Sequence, residues 1–142
     1  MRLEITRKAD LATRVLLALG RLDHRVKAPE LSELVGTTAG FLSQVIAPLS
    51  VRGWVRSDPG PSGGYQVAID LDRVSVLDVI EAVEGPTDTG RCVLEERECG
   101  RAGPCVLHVA WSEARGHLLE ELARTPLSGI AEPGAVEPGP VG

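Results

Sequence analysis

Cys92, Cys99 and Cys105 are the only cysteines of the chain, and they fall within one short stretch, Arg91 to His108, that reads RCVLEERECGRAGPCVLH. Six and then five residues separate them. Thiolates are soft ligands for iron-sulfur clusters, zinc or copper(I), and a reactive thiolate can also carry redox chemistry without a metal. Zinc knuckles favour cysteines two to four residues apart, so these gaps suit zinc poorly. A cluster normally takes four ligands, and three cysteines leave one position to another residue. His108 follows Cys105 by three residues and shares a helical face with it if a helix has already begun there. Arg91, Arg97 and Arg101 would offset thiolate charge, while Gly100 and Gly103 would let backbone N–H groups approach the sulfurs.

An odd cysteine count argues against a disulfide framework. The N-terminus, MRLEITRKAD, lacks the apolar core of a secretory signal, and no apolar run reaches membrane-spanning length. The expectation is a cytoplasmic protein with no membrane partner.

The elements that must position the cysteines can be read from periodicity. Thr6 caps a first helix over Arg7–Leu19, with Ala9, Leu11, Ala12, Val15, Leu16 and Leu19 on its apolar face. Pro29 opens a short helix, PELSELV, that Gly36 closes. Thr37 or Thr38 caps a third helix with Phe41, Leu42, Val45, Ile46 and Leu49 inward, and Pro48 predicts a kink or an early end near Ala47. Trp54–Ser57 and Tyr65–Ala68 flank DPGPSGG and predict a hairpin. Ser75 and Asp78 form a capping box before a helix that stops at Gly85. From Cys105 the pattern is helical through about Arg124, with Val106, Val109, Ala110, Ala114, Leu118 and Leu122 in a stripe best buried against a second copy of the chain. The last stretch, AEPGAVEPGPVG, is too rich in proline and glycine to pack and reads as a disordered tail.

The expected fold is therefore mainly α with a small β-hairpin: a winged helix-turn-helix plus a long C-terminal dimerisation helix. Its division would be a DNA-binding domain over 1–85, a cysteine-rich loop over 86–104, the dimerisation helix with a short extension over 105–130, and the tail over 131–142.

Charge supports a nucleic-acid partner. The whole chain is at −5, yet residues 1–56 hold nine Lys/Arg against five Asp/Glu, and the rest hold six against fifteen. A basic first segment can bind double-stranded DNA despite an acidic body, because phosphate contact is local. Thr37, Thr38, Ser43 and Gln44 would face the major groove, and the Gln44 amide could pair with adenine. Ser62, Gly63 and Gly64 would bring the wing backbone close to phosphates, and Arg2, Arg7, Lys8 and Arg56 would supply charge.

MRLEITRKADLATRVLLAL, ELSELVGTTAGFLSQVIAPLSVRGWVRSDPGPSGGYQVA, VSVLDVIEAVEG and the three cysteines, in that order, resemble the Rrf2 family of bacterial transcription regulators over about residues 1–124. The resemblance implies a homodimer joined by the long helix and, in many members, an iron-sulfur cluster. It implies two different fourth ligands. IscR-like members, which hold a 2Fe-2S cluster, match His108; NsrR-like members, which complete a 4Fe-4S cluster with an aspartate of the partner subunit, match Asp10. It also extends the DNA-facing set to Phe41, in the Phe-Leu pair of the recognition helix. This chain has Pro59 where members often carry a wing arginine, and Ser43 where several carry an acidic residue after that pair.

The function expected is a homodimeric transcription regulator, repressor or activator, whose operator affinity a cluster controls in response to nitric oxide, redox state or iron supply. Alternatives are a metal-free thiol-disulfide regulator and, from another class, a small iron-sulfur electron-transfer protein. No nucleophile elbow or P-loop supports an enzyme.

Overall fold

The computed structural model describes residues 1–22, 24–94, 97–99 and 103–130. The tail over 131–142 and the ligand-supporting roles expected of Gly100 and Arg101 lie outside the described residues.

Helix α1 spans Arg7–Leu22. Thr6 caps it, its Oγ1 accepting from the Ala9 N–H at 3.2 Å. Ala9, Leu11, Ala12, Val15, Leu16, Ala18 and Leu19 are buried along one face. The helix runs three residues past the predicted Leu19, since Leu22 also packs against the core. Helix α2 (Ala28–Val35) has Pro29 in its first turn and ends at Gly36, whose φ of 73° is left-handed.

Helix α3 (Ala39–Val51) begins at Thr38, whose Oγ1 accepts from the Phe41 N–H at 3.2 Å. It does not stop near Ala47: Pro48 sits inside it. Proline forfeits only the bond to the carbonyl of Gln44, an exposed residue, while fully buried Leu49 holds the following turn in the core.

Strands β1 (Val55–Asp58) and β2 (Gly64–Val67) pair antiparallel, Val55 opposite Val67 and Asp58 opposite Gly64. Each lies one residue away from its predicted position, closing the turn over 59–63. Val26 adds a third edge through bonds of 2.8 and 2.7 Å with Tyr65. Helix α4 (Val76–Glu84) carries the capping box: the Ser75 N–H donates to Asp78 Oδ2 at 2.9 Å, and the Asp78 N–H to Ser75 Oγ at 3.0 Å.

Helix α5 spans His108–Ala123 and so starts three residues later than predicted. None of its side chains is fully buried, and in the predicted stripe Val109 is 66 % and Leu118 45 % exposed. After α5 the chain returns to the body. The Val76 N–H donates to the Thr125 carbonyl at 2.9 Å, the Leu127 N–H to the Val74 carbonyl at 2.8 Å, and Leu127 is completely buried. It belongs to the same core as Leu16, Leu19, Leu31, Leu42 and Leu49, all completely buried as well. Among the described residues no single helix is long and apolar enough to cross a membrane.

The architecture is thus a winged helix-turn-helix of α1 to β2 and α4, followed by a long C-terminal helix. Because Leu127 is the fully buried side chain beyond α5 among the described residues, with Ile130 packing beside the core only in part, Leu127→Ala is expected to cost about 2–5 kcal/mol in chemical denaturation. Leu118→Ala, at a half-exposed position, should cost clearly less in the isolated chain.

Candidate functional site

Two short backbone bonds shape the cysteine loop. The Cys92 N–H donates to the Arg97 carbonyl at 2.8 Å and the Cys99 N–H to the Gly90 carbonyl at 3.2 Å, with Arg91 bridging Glu98. Asp88 steadies the start of this ladder, its Oδ1 accepting from the Gly90 N–H at 3.1 Å. The ladder sets Cys92 and Cys99 side by side. Cys105 arrives just before α5, with its carbonyl accepting the His108 N–H at 3.1 Å. All three sulfurs lie within 4.8 Å of one another, and Cys99 Sγ is 3.8 Å from Cys105 Sγ. Each cysteine is half-buried, and the Leu94 N–H points at Cys92 Sγ at 3.4 Å.

The thiol of Cys99 feels opposing influences. A hydrogen bond from the Cys105 backbone pulls its pKa down, while the Cys92 side chain, loss of water and the Cys105 thiol push it up and prevail. Three thiols this close resist losing all their protons unless a cation takes the protons' place.

Beside the sulfurs opens a cavity of about 310 Å³ lined by Cys99, Cys105, His108, Trp111, Arg115 and Asp88, among others. His108 therefore borders the site, but it is not among the groups within 4.8 Å of one another. The expected sharing of a helical face with Cys105 does not occur, because Cys105 precedes the helix and His108 is its first residue. Asp10 lies on α1, where its carboxylate pairs with Arg14 at 3.1 Å. Arg91 is exposed, and Arg97 donates to the Glu98 carbonyl at 3.4 Å. Sequence reasoning missed Asp88 and Arg115, which pair at 3.5 Å on the rim of the cavity. His108, Trp111 and Arg115 recur at helical spacing, and that was the signal available.

The second constellation is the helix-turn-helix and wing. Thr38, Ser43 and Gln44 are exposed and Thr37 is half-buried. Half-buried Phe41 lies under the Arg7 guanidinium, 6.0 Å from the ring centre. Arg7, Thr37, Thr38 and Phe41 surround one shallow cavity of about 470 Å³. Arg2, exposed, is paired with Glu4 at 3.7 Å, and Lys8 is half-buried. Arg56 projects from β1 toward Asp58, and Ser62 is exposed at the wing tip.

Gly63 and Gly64 have an internal reason to be glycine. A Cβ on Gly63 would meet the Asp58 carbonyl oxygen at 2.0 Å, and one on Gly64 the Val26 carbonyl oxygen at 2.7 Å. Gly63 is buried, so close approach here is of the wing to itself. Also missed were Arg25 and Lys27, in a segment that read only as a polar turn. Arg25 Nη1 donates to the Ser62 carbonyl at 3.1 Å and Lys27 Nζ to the Pro61 carbonyl at 2.6 Å.

A capped, exposed second helix followed by a braced wing defines a DNA-binding regulator of the winged-helix class. The family model described as an iron-dependent transcriptional regulator matches residues 5–133, and the chain belongs to this family, Rrf2. A protein of Aquifex aeolicus assigned as an HTH-type transcriptional regulator is 33 % identical over 104 residues, covering 72 % of each chain. The HTH-type transcriptional regulator IscR of Xenorhabdus nematophila is 32 % identical over 113 residues, 78 % of this chain and 68 % of its own. In three dimensions, a Listeria innocua protein assigned as a transcriptional regulator superposes with a TM-score of 0.72 at 25 % identity, over 91 % of this chain and 86 % of its own. Regulators of this family bind DNA and are not enzymes.

The raised Cys99 thiol has a measurable consequence in the metal-free chain. Its alkylation by iodoacetamide, followed by mass spectrometry against pH, should rise through an ionisation above that of an ordinary cysteine. A midpoint below the ordinary value would mean that the Cys105 backbone bond prevails.

Proposed function

We propose that this chain is a homodimeric, DNA-binding transcription regulator whose operator affinity depends on an iron-sulfur cluster held by Cys92, Cys99 and Cys105. The observation that carries this reading is the gathering of the three sulfurs within 4.8 Å, with none committed to a disulfide. The donor set fits the group: three soft sulfurs, a backbone N–H aimed at one of them, and a neighbouring cavity that leaves room beyond the trio. When bound, a cluster supplies a centre that can be oxidised, reduced or dismantled, and hence a signal. The fourth ligand is His108, on the cavity rim, or Asp10 of the partner subunit.

The chain's own residues provide the route to DNA. Cys105 sits immediately before α5, and the end of α5 is tied by Thr125 and Leu127 to the strand-like segment that starts α4. A shift of the loop is passed along α5 into the body bearing α3 and the wing. Thr37, Thr38, Phe41, Ser43 and Gln44 address the major groove; Arg2, Arg7, Lys8, Arg56 and the wing at Ser62, Gly63 and Gly64 address backbone and minor groove. Two such heads must meet half-sites about one helical turn apart, so a modest change in their relation abolishes simultaneous docking. The signal is nitric oxide, redox state or iron supply.

A second reading has its own observation. Cys99 Sγ and Cys105 Sγ, 3.8 Å apart, need little movement to form a disulfide, which would make a metal-free thiol switch. The raised Cys99 thiol opposes it, since attack requires thiolate.

Anaerobic purification with iron and sulfide counts separates the two. Iron should be retained by the wild-type chain and lost in Cys92→Ser, Cys99→Ser and Cys105→Ser. His108→Ala and Asp10→Ala should differ, with only the true ligand losing iron or binding it about 10- to 100-fold more weakly. A colourless, iron-free protein that gains a reversible Cys99–Cys105 disulfide would instead establish the second reading. Holo and chelator-treated chains that bind an operator equally would refute the switch.

A further inference from the structure

The wing carries a carboxylate at the point where its cations converge. Asp58 ends β1, and its Oδ2 lies 3.1 Å from Arg25 Nη2 and 3.5 Å from Arg56 Nε. Arg56 reaches it because residues two apart on a strand share a face. Arg25 comes from the connection between α1 and α2 and holds the Ser62 carbonyl with its other nitrogen, while Lys27 holds the Pro61 carbonyl. The backbone turns so tightly that the Gly63 position has no room for a Cβ beside the Asp58 carbonyl, which fixes the residue in place. Asp58 is the only acidic residue of the hairpin from Val55 to Val67. Its side chain is 28 % exposed, against 41 % for Arg25 and 67 % for Arg56.

We propose that Asp58 is a specificity-determining residue of the DNA interface, restraining Arg25 and Arg56 and thereby lowering sequence-independent binding. This rests on the reading of the wing as a DNA-contacting element. Sequence-independent affinity is built from phosphates neutralised by Lys and Arg. An arginine already paired with a carboxylate contributes less to it. Exposed ion pairs are individually weak, so well-placed phosphates can take the arginines over. Asp58 is then left unpaired beside the duplex, where its charge repels phosphate. A poorly matched duplex does not offset that repulsion, whereas a matched operator does through its base contacts.

The test uses fluorescence anisotropy with two probes, a mixed-sequence duplex and an operator selected by the wild-type chain from a random pool, in rising KCl. Asp58→Asn should bind the mixed-sequence duplex about tenfold tighter at low salt, with a salt slope steeper by about one to two. Its preference for the selected operator should shrink. Arg56→Gln is the second arm, read on the mixed-sequence duplex at low salt: it should cost at least about threefold alongside Asp58→Asn and clearly less than that in the wild-type background. That comparison decides the matter even if Asp58→Asn loosens the wing. Equal costs in both backgrounds, or unchanged mixed-sequence affinity in an Asp58→Asn chain of unchanged thermal stability, would overturn the inference. A wild-type chain with no salt-sensitive duplex binding would overturn the DNA-contact reading of the wing as well.

Discussion

Burial of Leu127 is the constraint on which the rest of the molecule depends. Helix α5 has no fully buried residue of its own: Trp111, Leu119 and Leu122 are half-buried, and Val109 and Leu118 are exposed. Its flank therefore meets α4 only by half-buried side chains. Its ends add to that hold: the start follows the cysteine loop, and the chain beyond the end pairs with 74–76 and buries Leu127 in the core beside α1. Without that anchor the cysteines would sit on an arm held to the DNA-binding body only by the half-buried contact of α5 with α4. With it, one continuous path of backbone bonds joins the sulfurs to the segment that opens α4.

The same economy governs the wing. A two-stranded hairpin is marginal alone, and here it is stabilised by the bridge of Val26 to Tyr65 and by the two basic side chains that hold the carbonyls of Pro61 and Ser62. Those cations are thereby partly engaged inside the protein. The basic excess of the first 56 residues is consequently an overestimate of the charge available to a duplex, since Arg2, Arg14, Arg25 and Arg56 each have a carboxylate partner. Net charge by segment identifies the kind of partner, and pairing sets how much of that charge is free.

Much of the fold was legible because local rules agreed with burial. Thr6, Thr38 and Ser75 cap helices that the apolar periodicity predicts, and Gly36 and Gly85 take the positive φ expected at helix ends. The errors fell where a local rule met a tertiary one. Pro48 forbids one hydrogen bond, but Leu49 gains complete burial by staying helical. Cys105 to Leu107 keep helical periodicity, yet Gly103, with φ of 89°, and Pro104 precede them and no side chain caps a start there, so α5 begins only at His108. The proximity of the three sulfurs was legible only as spacing in a loop. What actually produces it, the pairing of Gly90 with Cys99 and Cys92 with Arg97, leaves no mark in residue type, because backbone groups make the bonds.

The two proposed fourth ligands would couple the sulfurs to DNA in different ways. Asp10 is held by Arg14 in a half-exposed pair, an interaction worth about 0–1 kcal/mol, so releasing it to a partner's cysteines costs little. Its engagement would tie one subunit's first helix to the other subunit's loop, and losing it would free the subunits from each other. His108 is different: its N–H already caps back onto the Cys105 carbonyl, and its side chain opens the face that continues through Trp111 to Arg115. A ligand there keeps the whole set within one chain and makes the first turn of α5 part of the site. Any rearrangement of the loop would then turn the helix itself, and through its contact with α4 and the Leu127 anchor the body that carries α3.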